Sequence, residues 1–316
     1  MTKESTLKPF EKGDVFAGAT LLNNDEDDHA GDGRIFQFDA DLNAKGILWT
    51  EGTTHLVGGL KFGPDGNLWA FDSAAFKVIR VSPEGHQLPE IKFADRSFSN
   101  VNFGPDGNIY FGEHLIGHEV KLPPDRPLGT TLAFMPGTER FGDGHVFKFT
   151  PEGELIQEYN TKVHGGMPGF LGVTTSTLAP DGKTLVYNSE LGPHLFRYDL
   201  EADQQLPDMI TYSKESGDMA MTAVYQPDGT LLYIKANFRE GFFLQTLDNE
   251  GNVIRTYDPQ ERGAAGLAPS IDNQAAFIGN FFTGGIVKLD LASGETLATA
   301  ETGVERALAG IAQYPG

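Results

Sequence analysis

Gly58-Gly-Leu-Lys-Phe-Gly-Pro-Asp-Gly-Asn-Leu-Trp-Ala-Phe-Asp72 returns about forty residues later as Ser99-Asn-Val-Asn-Phe-Gly-Pro-Asp-Gly-Asn-Ile-Tyr-Phe-Gly-Glu113. A short apolar run meets Pro-Asp-Gly, and a second run rich in aromatic residues follows. Proline presets φ, aspartate caps the turn with its carboxylate, and glycine takes the positive-φ position. The flanking runs therefore read as an antiparallel hairpin. The same shape recurs at Thr174 to Asn188 and at Met221 to Lys235. A degraded copy runs from Gly266 to Asn280 with Asp272-Asn273 at its turn, and a half-copy spans Ala309 to Gly316.

Two further strands follow each hairpin, for example Lys77 to Val81 and Leu195 to Asp199. Four antiparallel strands per unit describe a propeller blade. The turns at Pro64, Pro105, Pro180, Pro227, Ile271 and Pro315 set six units, so the expected fold is all-β, a six-bladed β-propeller. The half-copy needs partners, and Asp14 to Thr20 with Gly33 to Asp39 supply them. The first blade is then completed by the C-terminal strand, which closes the ring and removes free edges. The chain reads as a single domain over 1–316, with an N-terminal tail over about 1–12. The interval between Pro105 and Pro180 is about thirty residues too long. The excess is placed in a loop over about 115–143, above the channel mouth.

Composition narrows the partners. The net charge of −20 repels phosphate backbones and anionic lipid, so neither nucleic acid nor membrane is expected. There is no cysteine for a disulfide, a thiol nucleophile or a thiolate ligand. Met1 to Phe10 lacks the apolar core of a signal peptide, and no run has the ~18 apolar residues of a membrane helix. A cytoplasmic protein is expected. Oligomeric state is open.

A propeller's ligand usually lies over the channel, on the face opposite the Pro-Asp-Gly turns. Seven of the eight histidines map to that face or its border, and His86 does not. His29, His55, His114, His118, His145, His164 and His194 are those seven. Histidine with carboxylate can hold a divalent metal or move protons near neutral pH. The catalytic candidates are His114, His164, Glu113 and Glu190. His55, His114, His118, His164 and His194 are the candidate ligands of a divalent metal ion, with Ca, Zn, Fe and Mn all open. Asn100, Phe134, Met135, Asn237 and Asn280 are candidates for substrate binding, and the two apolar ones suit an apolar or aromatic small molecule. Asn237 and Asn280 also read as side chains bonding backbone at strand ends. Asp25 to Asp28 lacks the spaced pattern of a calcium loop and reads as a solvated turn. No nucleophile elbow, phosphate-binding glycine loop or His-Glu-x-x-His helix is found.

The repeated Phe-Gly-Pro-Asp-Gly-Asn unit resembles the six-bladed propellers of the gluconolactonase and senescence-marker group, with NHL-repeat proteins, streptogramin lyases and strictosidine-synthase-like proteins. The resemblance covers the chain from about Asp14. For gluconolactonase-like members it implies a divalent cation, often calcium, held by Glu, Asn and Asp at the starts of first strands; Asn100 alone occupies such a slot here. Streptogramin lyase and the peptidylglycine alpha-amidating lyase domain resemble this chain in architecture and imply histidine beside a metal. The leading expectation is a small-molecule enzyme, a metal-assisted hydrolase or lyase. A ligand- or protein-binding scaffold is the first alternative. A calcium-dependent lactonase-like hydrolase using Asn237, Asn280 and Glu190 is the second.

Overall fold

The computed structural model describes residues 3–25, 27, 29–116, 144–163 and 170–316. Six antiparallel sheets stand radially around a channel. Blade 1 runs outward through Leu308–Gln313, Val15–Ala19, Arg34–Phe38 and Ala44–Trp49. Blade 2 has Gly58–Phe62, Leu68–Asp72 and Lys77–Val81. Its fourth position is held by one bridge, Val81 to Gln87, and by Leu88 N–H donating to Arg80 C=O at 2.8 Å. Blade 3 has Phe98–Phe103, Ile109–Ile116, Val146–Phe149 and Leu155–Tyr159. Blade 4 has Thr175–Leu178, Thr184–Asn188, His194–Asp199 and Gln204–Gln205. Blade 5 has Met219–Tyr225, Leu231–Asn237, Gly241–Leu247 and Val253–Tyr257. Blade 6 has Ala264–Pro269, Ala275–Asn280, Gly285–Asp290 and Thr296–Glu301.

The turns form as their residues dictate. Gly66, Gly107, Gly182 and Gly229 all have φ between +71° and +87°. Asp65, Asp106, Asp181 and Asp228 each accept the backbone N–H two residues on, at 2.8–3.1 Å. In the degraded sixth copy Asn273 takes the positive φ, at +60°, and Asp272 accepts from Gln274 N–H at 3.0 Å. Asparagine is among the few residues that tolerate that conformation.

Ring closure follows the expected pairing. Val15 faces Gln313, Phe16 faces Ala312 and Ala17 faces Ile311. The segment before Asp14, expected as a tail, lies against blades 1 and 2. Thr6 N–H donates to Ile47 C=O and Phe10 N–H to Pro83 C=O, each at 2.7 Å. The Phe10 ring packs on Phe16, Phe62 and Tyr314 at 4.5–5.9 Å. Leu115 and Ile116, expected to open the long loop, instead extend their strand, because Phe170–Gly172 pairs with it. The rest of that loop up to 143 lies outside the described residues.

The core is the ring of interfaces between blades. Trp69 and Phe71 of blade 2 meet Phe98, Phe111, Phe147 and Phe149 of blade 3. Leu232 and Ile234 of blade 5 meet Leu267 and Ile278 of blade 6. Second strands such as Leu231–Asn237 are almost wholly buried, innermost strands such as Gly58–Phe62 are partly open to the channel, and outer strands such as Val253–Tyr257 are largely exposed. Around the channel the strands crowd. Gly59 has φ +64°, and a Cβ there would overlap the carbonyl oxygen of Ser99 on the next blade. No helix of the described residues is long and apolar enough to cross a membrane.

Candidate functional site

The channel is a cavity of about 750 Å³ running from the mouth down to the Pro-Asp-Gly face. Its wall is mostly apolar, with Leu60, Leu191, Met221, Leu267, Phe281 and Phe282 among the lining residues. Charged and titratable lining groups are few: His29, His55, Asp72, His114 and Glu190 toward the mouth, and Lys61 and Tyr225 further down their strands.

Glu190 follows the second strand of blade 4, where its N–H donates to Thr174 Oγ1 at 2.7 Å. Among the described residues no hydrogen bond or ion pair reaches its carboxylate. Burial pushes this carboxyl up to about 7, and His29 pulls it partly back. His114 lies near the end of the long strand Ile109–Ile116, its N–H held by Ser97 C=O at 2.8 Å. Burial, with a smaller contribution from His29, pushes its imidazole down to about 4. At neutral pH His114 is therefore an uncharged imidazole, and Glu190 stands near half-ionisation. His29 acts on both groups and lies beside the Phe281 ring, centroids 6.1 Å apart. This trio combines a poised carboxyl with a neutral ring donor, a composition suited to proton transfer.

His55 occupies the rim. Its Nε2 meets Asp27 Oδ2 at 2.9 Å and its Nδ1 meets Thr54 Oγ1 at 2.7 Å. Asp72, fully buried, accepts Thr54 N–H and His55 N–H at 2.7 and 2.9 Å, which fixes the loop that carries His55. Asn100 lines the channel, donating to Val173 C=O at 2.8 Å and accepting from Ser176 Oγ.

The other sequence candidates are placed differently. His194, expected as a metal ligand, sits on the third strand of blade 4, outside the cavity lining. Its ring stacks on Phe196 at 5.1 Å and its Nδ1 pairs with Asp208 at 3.0 Å. Glu113, expected as catalytic, does not line the cavity. It is 0% exposed and held by Arg96 through two bonds of 2.7 and 2.8 Å. Asn237 and Asn280, expected to bind substrate, turn into their own loops. Asn237 donates to Ser216 C=O and Asp218 and accepts from Arg239 N–H. Asn280 donates to Glu261 and Arg262 C=O and accepts from Phe282 N–H. His118, His164, Phe134 and Met135 lie outside the described residues.

The Glu113–Arg96 pair is structural. Burial raises the Glu113 carboxyl, and Arg96 offsets part of that. Arg96→Ala is expected to cost about 3 kcal/mol of stability at pH 7, because the glutamate is left charged and unmatched. The sign with pH follows: the penalty belongs to the ionised form, so it shrinks as pH falls and Glu113 takes up a proton. Denaturant titrations at pH 7 and pH 5 should show the gap to wild type narrowing.

A metal site does not assemble from what is described. Among the described residues no three His, Asp or Glu side chains are grouped to hold an ion. Conversely, three groups escaped the sequence reading: Lys61, Asn102 and Ser176. Lys61 Nζ donates to Asn102 Oδ1 at 2.6 Å, and Asn102 Nδ2 donates to Ser176 Oγ at 2.7 Å. The available signal was positional, since Lys61 and Asn102 stand at the same place in their repeats.

No family model matches the chain. A gluconolactonase of Zymomonas mobilis is 26% identical over 182 residues, covering 54% of this chain. The match spans 45% of that protein's length. Among solved structures, a chain of a nidogen/laminin complex superposes with TM-score 0.64 at 12% identity, covering 96% of this chain and 98% of that one. A virginiamycin B lyase from Staphylococcus aureus, solved with quinupristin, gives TM-score 0.53 at 14% identity over 97% and 92% of the two chains. Repeat, closure and these likenesses agree on the fold: the chain is a six-bladed β-propeller, and about half of it is similar in sequence to a gluconolactonase.

Proposed function

We propose that the channel mouth is a general acid–base site acting on a largely apolar small molecule, and that the reaction is hydrolysis of a lactone or related ester. The observation that carries this is the convergence of Glu190, His114 and His29 on one mostly apolar cavity. Glu190 carboxylate takes a proton from a water whose oxygen adds to the carbonyl carbon. As the carboxylic acid it then returns that proton to the departing alkoxide. His114, neutral, donates a hydrogen bond to the carbonyl oxygen as negative charge develops there. The partial match to a gluconolactonase supports the hydrolytic form. The likeness to a lyase keeps elimination as the second form, in which Glu190 would take a carbon-bound proton instead. Among the described residues no three His, Asp or Glu side chains are grouped to hold a metal ion, and no step is assigned to one.

Glu190→Gln is the test, against a panel of lactones and aryl esters. Turnover should fall about 100-fold or more, the ordinary worth of a general base. The variant should be at least as stable as wild type at pH 8. A carboxyl raised to about 7 costs the fold nothing below pH 4.5, and its penalty is complete above 7. Thermal melts at pH 4 and pH 8 check this. Lost activity then cannot be assigned to unfolding. Full turnover in Glu190→Gln, or a wild type that opens no lactone or ester, would overturn the hydrolytic proposal.

A further inference from the structure

We propose that Lys61 forms an anion-binding subsite within the channel, fixing the acidic end of an elongated apolar substrate whose reacting bond lies at the Glu190 mouth. This rests on the acid–base reading of the mouth and adds the substrate class: a mostly hydrocarbon molecule carrying one carboxylate or similar monoanion.

Lys61 is the one Lys or Arg among the described residues that line the cavity. Its ammonium carries three donors, and one is used, on Asn102 Oδ1 at 2.6 Å. That oxygen is neutral and also accepts Leu178 N–H at 3.1 Å. No carboxylate pairs with Lys61 among the described residues, in a chain whose net charge is −20. An ammonium withdrawn from water is costly unless a counter-charge meets it. Burial alone accordingly lowers this amine, to about 8. A ligand anion would supply the missing counter-charge and accept the two remaining donors.

The surroundings are built for this. Asn102 Nδ2 donates to Ser176 Oγ at 2.7 Å, and Ser176 in turn donates to Asn100 Oδ1. That chain of neutral side chains braces the residue holding Lys61. Apolar side chains of Leu60, Phe62, Val101, Leu178 and Ile311 make up much of the wall nearby. Across a bulge in its strand, Lys61 faces Trp69 where Gly58 faces Phe71, two residues further down the partner strand, about 7 Å at the usual strand rise.

The probe pair is 8-anilinonaphthalene-1-sulfonate and its uncharged parent N-phenyl-1-naphthylamine, titrated by fluorescence at pH 7. Wild type should bind the sulfonate about tenfold or more tightly than the parent, as one charge-assisted contact allows. Lys61→Met should abolish that preference and leave the parent within about twofold of its wild-type affinity. Lys61→Arg should keep it. Lys61→Gln retains a donor for Asn102 without the charge, so it decides the matter should Lys61→Met fail to fold. A wild type that binds both probes equally, or a preference that survives Lys61→Met or Lys61→Gln, would overturn the subsite. The two readings fail separately. Turnover dependent on Glu190 with no sulfonate preference removes the subsite alone. A sulfonate preference dependent on Lys61 beside a fully active Glu190→Gln removes the acid–base role alone.

Discussion

Deleting residues 307–316 is expected to leave no cooperatively folded protein. Leu308–Gln313 is the inner strand of blade 1, and it also packs against the inner strands of blades 2 and 6. Ala307, Leu308, Ile311 and Ala312 are buried. Ile311 and Leu308 belong to the apolar cluster shared with blade 6, and Ala312 to the one shared with blade 2. The deletion removes the whole ladder to Val15–Ala19 and uncovers both flanking blades. At about 25 cal/mol per Å² of apolar surface, the exposed faces amount to roughly 10 kcal/mol, comparable with the entire stability of a typical domain. Circular dichroism should show no sharp melt. A peptide of residues 307–316 added in excess should restore one, because strand pairing does not require a covalent link. A native-like transition in the deletion variant alone would refute ring closure as the organising contact.

That closure was legible because turn chemistry is local. Proline, aspartate and glycine act within four residues, so each hairpin announces itself in the sequence, and even Asn273 could be read as the positive-φ residue of a worn copy. The half-copy at the C-terminus had one unfilled partner, and topology did the rest. The candidate site was legible to the level of the loop and no further. His114, Glu190, Asn100 and His55 were expected at the mouth and line it. Glu113 and His194 stand on the same strands or near the same loops, yet Arg96 and Asp208 claim them. Which side chain turns to the cavity depends on bonds to residues 14 to 21 positions away, and no spacing rule encodes those. Lys61 was missed for the opposite reason. A single lysine in Gly-Gly-Leu-Lys-Phe reads as an ordinary solvent-facing strand position, and only the ring turns that solvent into an enclosed channel.

Phe111→Ala should cost about 4 kcal/mol, the middle of the range for a buried phenylalanine. Phe111 is fully buried in the second strand of blade 3. Its ring lies 4.8 Å from Phe93, 4.9 Å from Phe98, 5.4 Å from Phe71, 5.5 Å from Phe149 and 6.3 Å from Trp69. Those neighbours come from blades 2 and 3 and from the segment between them. They are rigid aromatic plates, themselves packed edge to face, so they cannot collapse into the space that the ring leaves. The cavity term therefore adds nearly in full to the transfer term. Leu155→Ala on the outer strand of the same blade, where the side chain is 54% exposed, should cost under about 0.5 kcal/mol. Denaturant midpoints at constant slope would measure both. The contrast matters for the site because Phe111 pins the strand that carries His114. Blades of this ring hold each other through such aromatic interlocks, and the mouth is only as well positioned as the interface beneath it. A loss below about 1 kcal/mol at Phe111 would mean that the interface repacks freely and cannot be what fixes the geometry of the mouth.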